Sequence, residues 1–364
     1  MPGKPQHRIT QPGPLHDERG RLTQRGYATS LLLQYDRSRV AASPLRIKEW
    51  DYYYISNDSF GLALTIDDNG YMSLDSISLL DFDAKWEQTT SRMGFMPLGR
   101  RKLPATSVRG DIDVSGRGYE MHFKNDGLRR SLYGSMQNFR GTDAISFDIT
   151  LTDAPRDSMV IVTPFAKDEK AFYYNQKINC LRAEGRALFA GREYLFSPAT
   201  SFAVLDWGRG VWTYENTWYW GSASGIAQGR RVGFNVGYGF GDTSAASENM
   251  VFVDGVAHKL SQVTFNIPMK NGQEDYLSPW TFTSDDGRFE MDFAPILDRA
   301  ACTDAKLILS DQHQVFGRYS GRMILDDGSA LDVKNLTGFA EKDVYKRQLT
   351  ILIRYIGIRR NMGA

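Results

Sequence analysis

A chain of 364 residues exceeds what one hydrophobic core usually organises, so two coupled domains, or one very large one, are expected. A composition of 41% hydrophobic and 24% charged residues excludes long disorder through the middle of the chain. A 12% aromatic content, with 20 Phe and 18 Tyr, suits strands better than helices. The formal net charge is +1 and no basic stripe interleaved with aromatics occurs, so no nucleic-acid partner is expected.

Residues 1–44 are rich in Pro, Gly and charge and read as an arm that wraps the body, with one short helix predicted near Gly26–Tyr35. The opening MPGKPQHRITQPGPLHDERGR lacks the apolar centre of a signal peptide. No uninterrupted apolar run is long enough to cross a bilayer, so a cytoplasmic protein with no integral membrane segment is expected. From residue 45 to 198 the chain changes to short apolar runs divided by turn signals, a first β domain. Its first run, RIKEWDYYY at 46–54, places Arg46 and Glu49 where a surface ion pair is expected. Asn69-Gly70, Asp126-Gly127, Asp286-Gly287 and Asp327-Gly328 supply the positive φ of tight hairpins, so each predicts an antiparallel pair. In AISFDITLT, Ile145, Phe147, Ile149 and Leu151 share one face, and Ser146, Asp148 and Thr150 share the other, the period of a half-buried strand.

Residues 199–342 read as a second β domain, and its opening stretch, DWGRGVWTYENTWYWGSASG at 206–225, is the densest in chemistry. Trp218, Trp220, Ser222 and Ser224 fall on one face of a strand and Tyr219, Gly221, Ala223 and Gly225 on the other. The tryptophans suit either core packing or direct ligand contact. Asp206 and Glu215 are the catalytic candidates, since a carboxyl in an apolar pocket can hold a proton for transfer. Trp207, Arg209, Tyr214, Asn216, Trp218 and Trp220 are candidate ligand contacts, with Asn235, Tyr238 and Asp242 from the run that follows. In that run, GFNVGYGFG, large residues alternate with Asn235 and glycines. It suits a barrel corner or a face that another group approaches closely. Beyond it Asp242, Thr243, Ser244, Glu248 and Asn249 form a polar loop at a barrel mouth, either solvated or part of the site.

His313, in SDQHQVFGRYSG, is a further candidate general base. No pair of histidines has metal-ligand spacing, and neither metal nor cofactor is expected. Cys180 and Cys302 read as buried free thiols. The last stretch, 343–364, holds five basic residues and one acid. Its first part, DVYKRQ, reads as translated sequencing-adapter text, so 343–364 is taken as a non-native tail outside the fold.

Four segments together, RIKEWDYYYI, DWGRGVWTYENTWYWGSASG, GFNVGYGFGDTSAASENM and HQVFGRYSGRMILDDGSALDVKNLTGFAEK, resemble the bacterial domain of unknown function numbered 2804. More loosely, Asp206-Trp207-Gly208 with Trp218 and Trp220 downstream is similar to a motif of tandem lipocalin-like carotenoid hydratases and tocopherol cyclases. That resemblance implies an all-β fold of two lipocalin-like antiparallel barrels or sandwiches in tandem, with a pocket between them. It also implies a cofactor-independent hydratase, cyclase or isomerase for a small hydrophobic, isoprenoid- or lipid-like ligand, with Asp206 as the acid. A non-catalytic binder of apolar ligands, and an aromatic-lined carbohydrate site using Asp206 and Glu215, are the alternatives.

Overall fold

All four glycine-containing turns close hairpins, with φ of +79° at Gly70, +95° at Gly127, +67° at Gly287 and +83° at Gly328. The computed structural model describes residues 5–305 and 308–347, and the side chains among them except 302–310 and 346–347. In the first half the strands are β1 (Ile47–Ser56), β2 (Phe60–Asp68), β3 (Met72–Asp81), β4 (Trp86–Phe95), β5 (Ile112–Gly116), β6 (Tyr119–Asn125), β7 (Arg130–Arg140), β8 (Asp143–Thr152), β9 (Met159–Phe165), β10 (Asp168–Phe189), β11 (Arg192–Phe196) and β12 (Phe202–Val211). They form one antiparallel sheet in the order β4-β3-β2-β1-β12-β10-β8-β7-β6-β5, with β9 and β11 also paired to β10. The sheet curls until Thr90 and Arg92 of β4 donate to the carbonyls of Phe139 and Gln137 on β7.

The second half is a nine-stranded sheet. Its strands are β13 (Glu215–Ala227), β14 (Arg230–Tyr238), β15 (Met250–Val253), β16 (Val256–Lys259), β17 (Val263–Asn266), β18 (Trp280–Ser284), β19 (Phe289–Ala305), β20 (Ile308–Ile324) and β21 (Ala330–Arg347). Their order is β16-β15-β14-β13-β21-β20-β19-β18-β17. This sheet curls too, bringing the Phe265 N–H of β17 to the Tyr238 hydroxyl of β14 at 3.5 Å. The fold is all-β, two lipocalin-like curled sheets in tandem.

Each sheet encloses its own core, because successive strand residues point to opposite faces. In β1 the odd residues Ile47, Tyr53 and Ile55 join the first core, while Tyr52 and Tyr54 belong to a third cluster with Val204, Trp220, Leu297, Phe316 and Phe339. That third cluster is the seam where the outer face of β1, β12 and β10 meets the outer face of β13, β14, β20 and β21. The two halves therefore share a buried interface.

Several expectations move. No helix occupies Gly26–Tyr35; Gly26–Ala28 is a strand added to β9, Leu33–Gln34 pairs with Gly13–Pro14, and a 3-10 turn follows at Arg37–Arg39. The change of sheet falls between Val211 and Glu215, because β12 still belongs to the first sheet, whereas the domain boundary was expected at 198. The strand β21 does not stop at Lys342. Asp343 pairs with Trp218 and Tyr345 with Asn216, so 343–347 lie within the sheet, while 348–364 lie outside the described residues. Arg46 and Glu49 do not pair; Arg46 bonds Asp168 at 2.7 Å and Glu49 bonds Arg37 at 2.6 Å. Cys180 is a buried free thiol that burial pushes up to about 12, and the Cys302 side chain lies outside the described residues.

Candidate functional site

Polar residues crowd the seam. Alternation on β10 sends Tyr173, Asn175, Lys177 and Asn179 there, opposite Trp218, Trp220 and Ser222 of β13. Lys177 Nζ pairs with Asp206 Oδ2 at 2.7 Å, and Asn175 Nδ2 donates to Asp206 Oδ1 at 2.5 Å. The same ammonium sits 3.6 Å from the centroid of Trp220, so one indole face is occupied by a cation of the protein itself. Gly208 is bare because Trp50 fills its place: a Cβ there would lie 2.0 Å from the indole.

Two further carboxyls complete the centre. Glu341 accepts from Trp218 Nε1 at 3.0 Å and from Gln314 Nε2 at 2.9 Å. The Gln314 amide can present its nitrogen only because its oxygen already accepts from Arg299 at 2.5 Å and Tyr52 at 3.3 Å. Asn235 is oriented in the same way: its oxygen accepts from Trp220 Nε1 at 2.7 Å, and its nitrogen donates to the Glu248 carbonyl at 2.9 Å and to Glu248 Oε2 at 3.4 Å. Among the described residues no hydrogen bond reaches Glu248 Oε1. Burial pushes both carboxyls above their ordinary range, opposed at Glu248 by the Lys177 charge and at Glu341 by the Trp218 N–H, and reinforced at both by Asp206.

Toward one end of the seam the lining turns aromatic. Trp212 packs edge-on against Trp50, Trp218 and Phe240 at 5.5, 5.6 and 4.9 Å, and Phe240 packs on Tyr173 at 4.6 Å. Trp50, Trp212 and Trp218 are half-buried, so this end approaches the surface. Lys48 lies among Tyr71, Trp212 and Tyr345.

Of the residues singled out by sequence, the seam gathers Asp206, Trp218, Trp220 and Asn235. The others are corrected as follows. Trp207 and Arg209 point to the opposite face of β12, where Arg209 bonds Asp51 at 3.0 Å and the backbone of Trp50 and Pro104 inside the first core. Glu215 is exposed at the start of β13, so Asp206 and Glu215 are not a carboxyl pair across a groove. Asn216 bonds Thr213 within a turn, and Tyr214 packs under Arg46. Tyr238 stacks on Tyr219 inside the second half, and Asp242 caps its own loop through the Ser244 N–H. His313 lies on the far face of β20 from Gln314, bonded to Asp298 at 2.7 Å and stacked on Tyr276. Sequence reasoning missed Tyr52, Tyr173, Lys177, Gln314 and Glu341 altogether. Glu248 lay within the loop it flagged.

A buried, acid-bearing seam between two tandem β halves defines the class of protein. The chain belongs to the family described as Domain of unknown function (DUF2804), which matches residues 6–347. No curated protein matches it in sequence. A protein from Nitrosomonas europaea, described provisionally as AttH, shares the fold with a TM-score of 0.52 and 13% identity, over 85% of this chain and 96% of that one. Kievitone hydratase from Nectria haematococca gives a TM-score of 0.42 and 12% identity over 82% of this chain and 88% of its own. The structure of CghA with a bound compound gives 0.46 and 9% over 92% and 98%. Among the described residues no helix is long and apolar enough to cross a membrane.

Proposed function

We propose that the seam is the active site of a cofactor-independent hydratase, cyclase or isomerase for a small hydrophobic molecule, isoprenoid- or lipid-like in character, with Glu248 as its proton donor. One observation carries this reading: of Asp206, Glu341 and Glu248, the acids bonded into the seam network, Glu248 alone keeps an oxygen that no described residue bonds, whereas Asp343, buried on the same face with its Oδ1 unbonded, has no side-chain hydrogen bond among the described residues to orient it. A general acid must hold a proton and be able to deliver it. Burial favours the protonated form of Glu248, whereas both oxygens of Asp206 and both of Glu341 are engaged by neighbours. Asp206, the acid expected from the motif, instead anchors Lys177.

Native mass spectrometry of the purified protein, with extraction of what co-purifies, identifies the ligand, which is then incubated with the protein in D2O. Deuterium uptake that depends on the protein, and that falls at least about a hundredfold in Glu248→Gln, is the expected result. Full-rate exchange in that variant removes Glu248 from the role. A non-catalytic apolar carrier is the second reading, favoured by the complete internal bonding of Asp206 and Glu341. Its signature is a tightly held ligand that takes up no deuterium with the native protein.

A further inference from the structure

Tyr173 is placed with unusual definition for a group that bonds nothing. Its ring is fixed by edge-on contact with Phe240 at 4.6 Å and by near-parallel stacking with Trp50 at 6.1 Å, and the residue is only 5% exposed. Alternation on β10 puts it on the seam face with Asn175 and Lys177, the residues that hold Asp206. Phe240, its packing partner, opens the segment that carries Glu248. Yet among the described residues the Tyr173 hydroxyl has no hydrogen-bond partner, although Glu248, Asp206 and Glu341 all act on it electrostatically. A buried phenol normally finds an acceptor. A donor that feels the charge of three acids and is bonded to none of them is available to a ligand.

We infer that the substrate carries a carbonyl oxygen bound by the Tyr173 hydroxyl and conjugated to the double bond on which Glu248 acts, making it an α,β-unsaturated carbonyl compound. This rests on the seam being an active site with Glu248 as its acid. The oxygen of water, or of a hydroxyl in the substrate itself, bonds to the β-carbon. The π pair of the C=C bond moves to give an enolate, whose oxygen Tyr173 holds by its O–H. Glu248 then delivers its proton to the α-carbon and the C=O bond re-forms. The proton released from the added O–H returns to the Glu248 carboxylate, so the residue ends as it began and the net change is addition of O–H across C=C. Burial holds the Tyr173 phenol well above its ordinary pKa, which keeps it a neutral donor throughout. Donors aimed where charge develops are worth most in a water-excluded site.

Binding of 2-naphthol, a flat apolar probe with one enolate-like oxygen, is compared with naphthalene through quenching of the seam tryptophans. The expected result is tighter binding of 2-naphthol by about tenfold or more, with the preference lost in Tyr173→Phe and naphthalene affinity unchanged. Tyr54→Phe also removes a seam hydroxyl, buried among Phe316 and Phe339, and leaves the preference intact. Equal affinities for the two probes, or a preference that survives Tyr173→Phe, overturns the carbonyl inference while leaving an apolar active site standing. Failure of both probes to bind native protein overturns that site along with it.

Discussion

Lys177 and Asp206 sit 3% and 7% exposed, which makes their pairing an obligation more than a gain. Removing one partner strands the other's charge away from water, and that costs about 3–5 kcal/mol where a matched apolar replacement of both costs little. Lys177→Met is therefore expected to lower stability by about that amount, and Lys177→Met with Asp206→Leu to recover most of it, as read by chemical denaturation. If Lys177→Met is as stable as the native protein, the pair is not closed off from solvent. The same residues show how much of the site could be read in advance. Asp206, Trp207 and Arg209 look like one cluster in sequence, but on a strand the odd and even positions face apart. Once β12 is known to be a strand, Trp207 and Arg209 belong to the first core and Asp206 to the seam. Lys177, Asn175 and Asn179 gave no such signal. A polar face alternating with Phe172, Tyr174 and Ile178 reads as solvated until a second sheet is known to cover it.

At the scale of the element, the glycine-rich strand β14 served the purpose that was only one of its two readings. Its bare face is where other groups press close: a Cβ at Gly237 would lie 3.0 Å from the Glu248 carboxyl and 2.7 Å from the Tyr219 carbonyl. Gly237→Ala is expected to destabilise the protein by about 1–3 kcal/mol and to reduce Glu248-dependent turnover more than folding alone explains, measured at a temperature where the variant is fully folded. The loop that follows is held from the other end of the chain. Gln6 accepts from the Ser247 N–H at 2.8 Å and donates to Leu260, and His7 donates its N–H to Ala245. No local pattern announces a contact between residues 6 and 247, which explains why the loop's burial was not legible. The hairpins were legible because each turn carries its own signal.

At the scale of the molecule, acids buried inside and between the halves set a pH dependence with a definite sign. Burial raises Asp67 to about 7 and Asp343 to about 8, both above an ordinary carboxyl. The folded state then binds more protons than the unfolded one, and stability from these groups is highest in acid and falls as pH rises toward 8. Asp343→Asn is expected to raise the melting temperature at pH 8 by about 2 °C or more and to leave it unchanged near pH 4. Equal shifts at both pH values would mean that the Asp343 charge is not what matters. Asp343 pairs with Trp218 and lies beside Glu341, so the comparison also reports on the strand register that holds the site together.

The Cys180 thiol lies against Gly233, so close that a Cβ on that glycine would fall 2.5 Å from the sulfur. Cys180 belongs to the first sheet and Gly233 to the second. A thiol reagent can reach this sulfur only when the halves part. In a Cys302→Ser background, the rate of Cys180 modification becomes a clock for breathing between the halves. The proposed reaction cannot run faster than that clock if its substrate enters by the same opening. A ligand that closes the seam should slow the modification before any chemistry is measured.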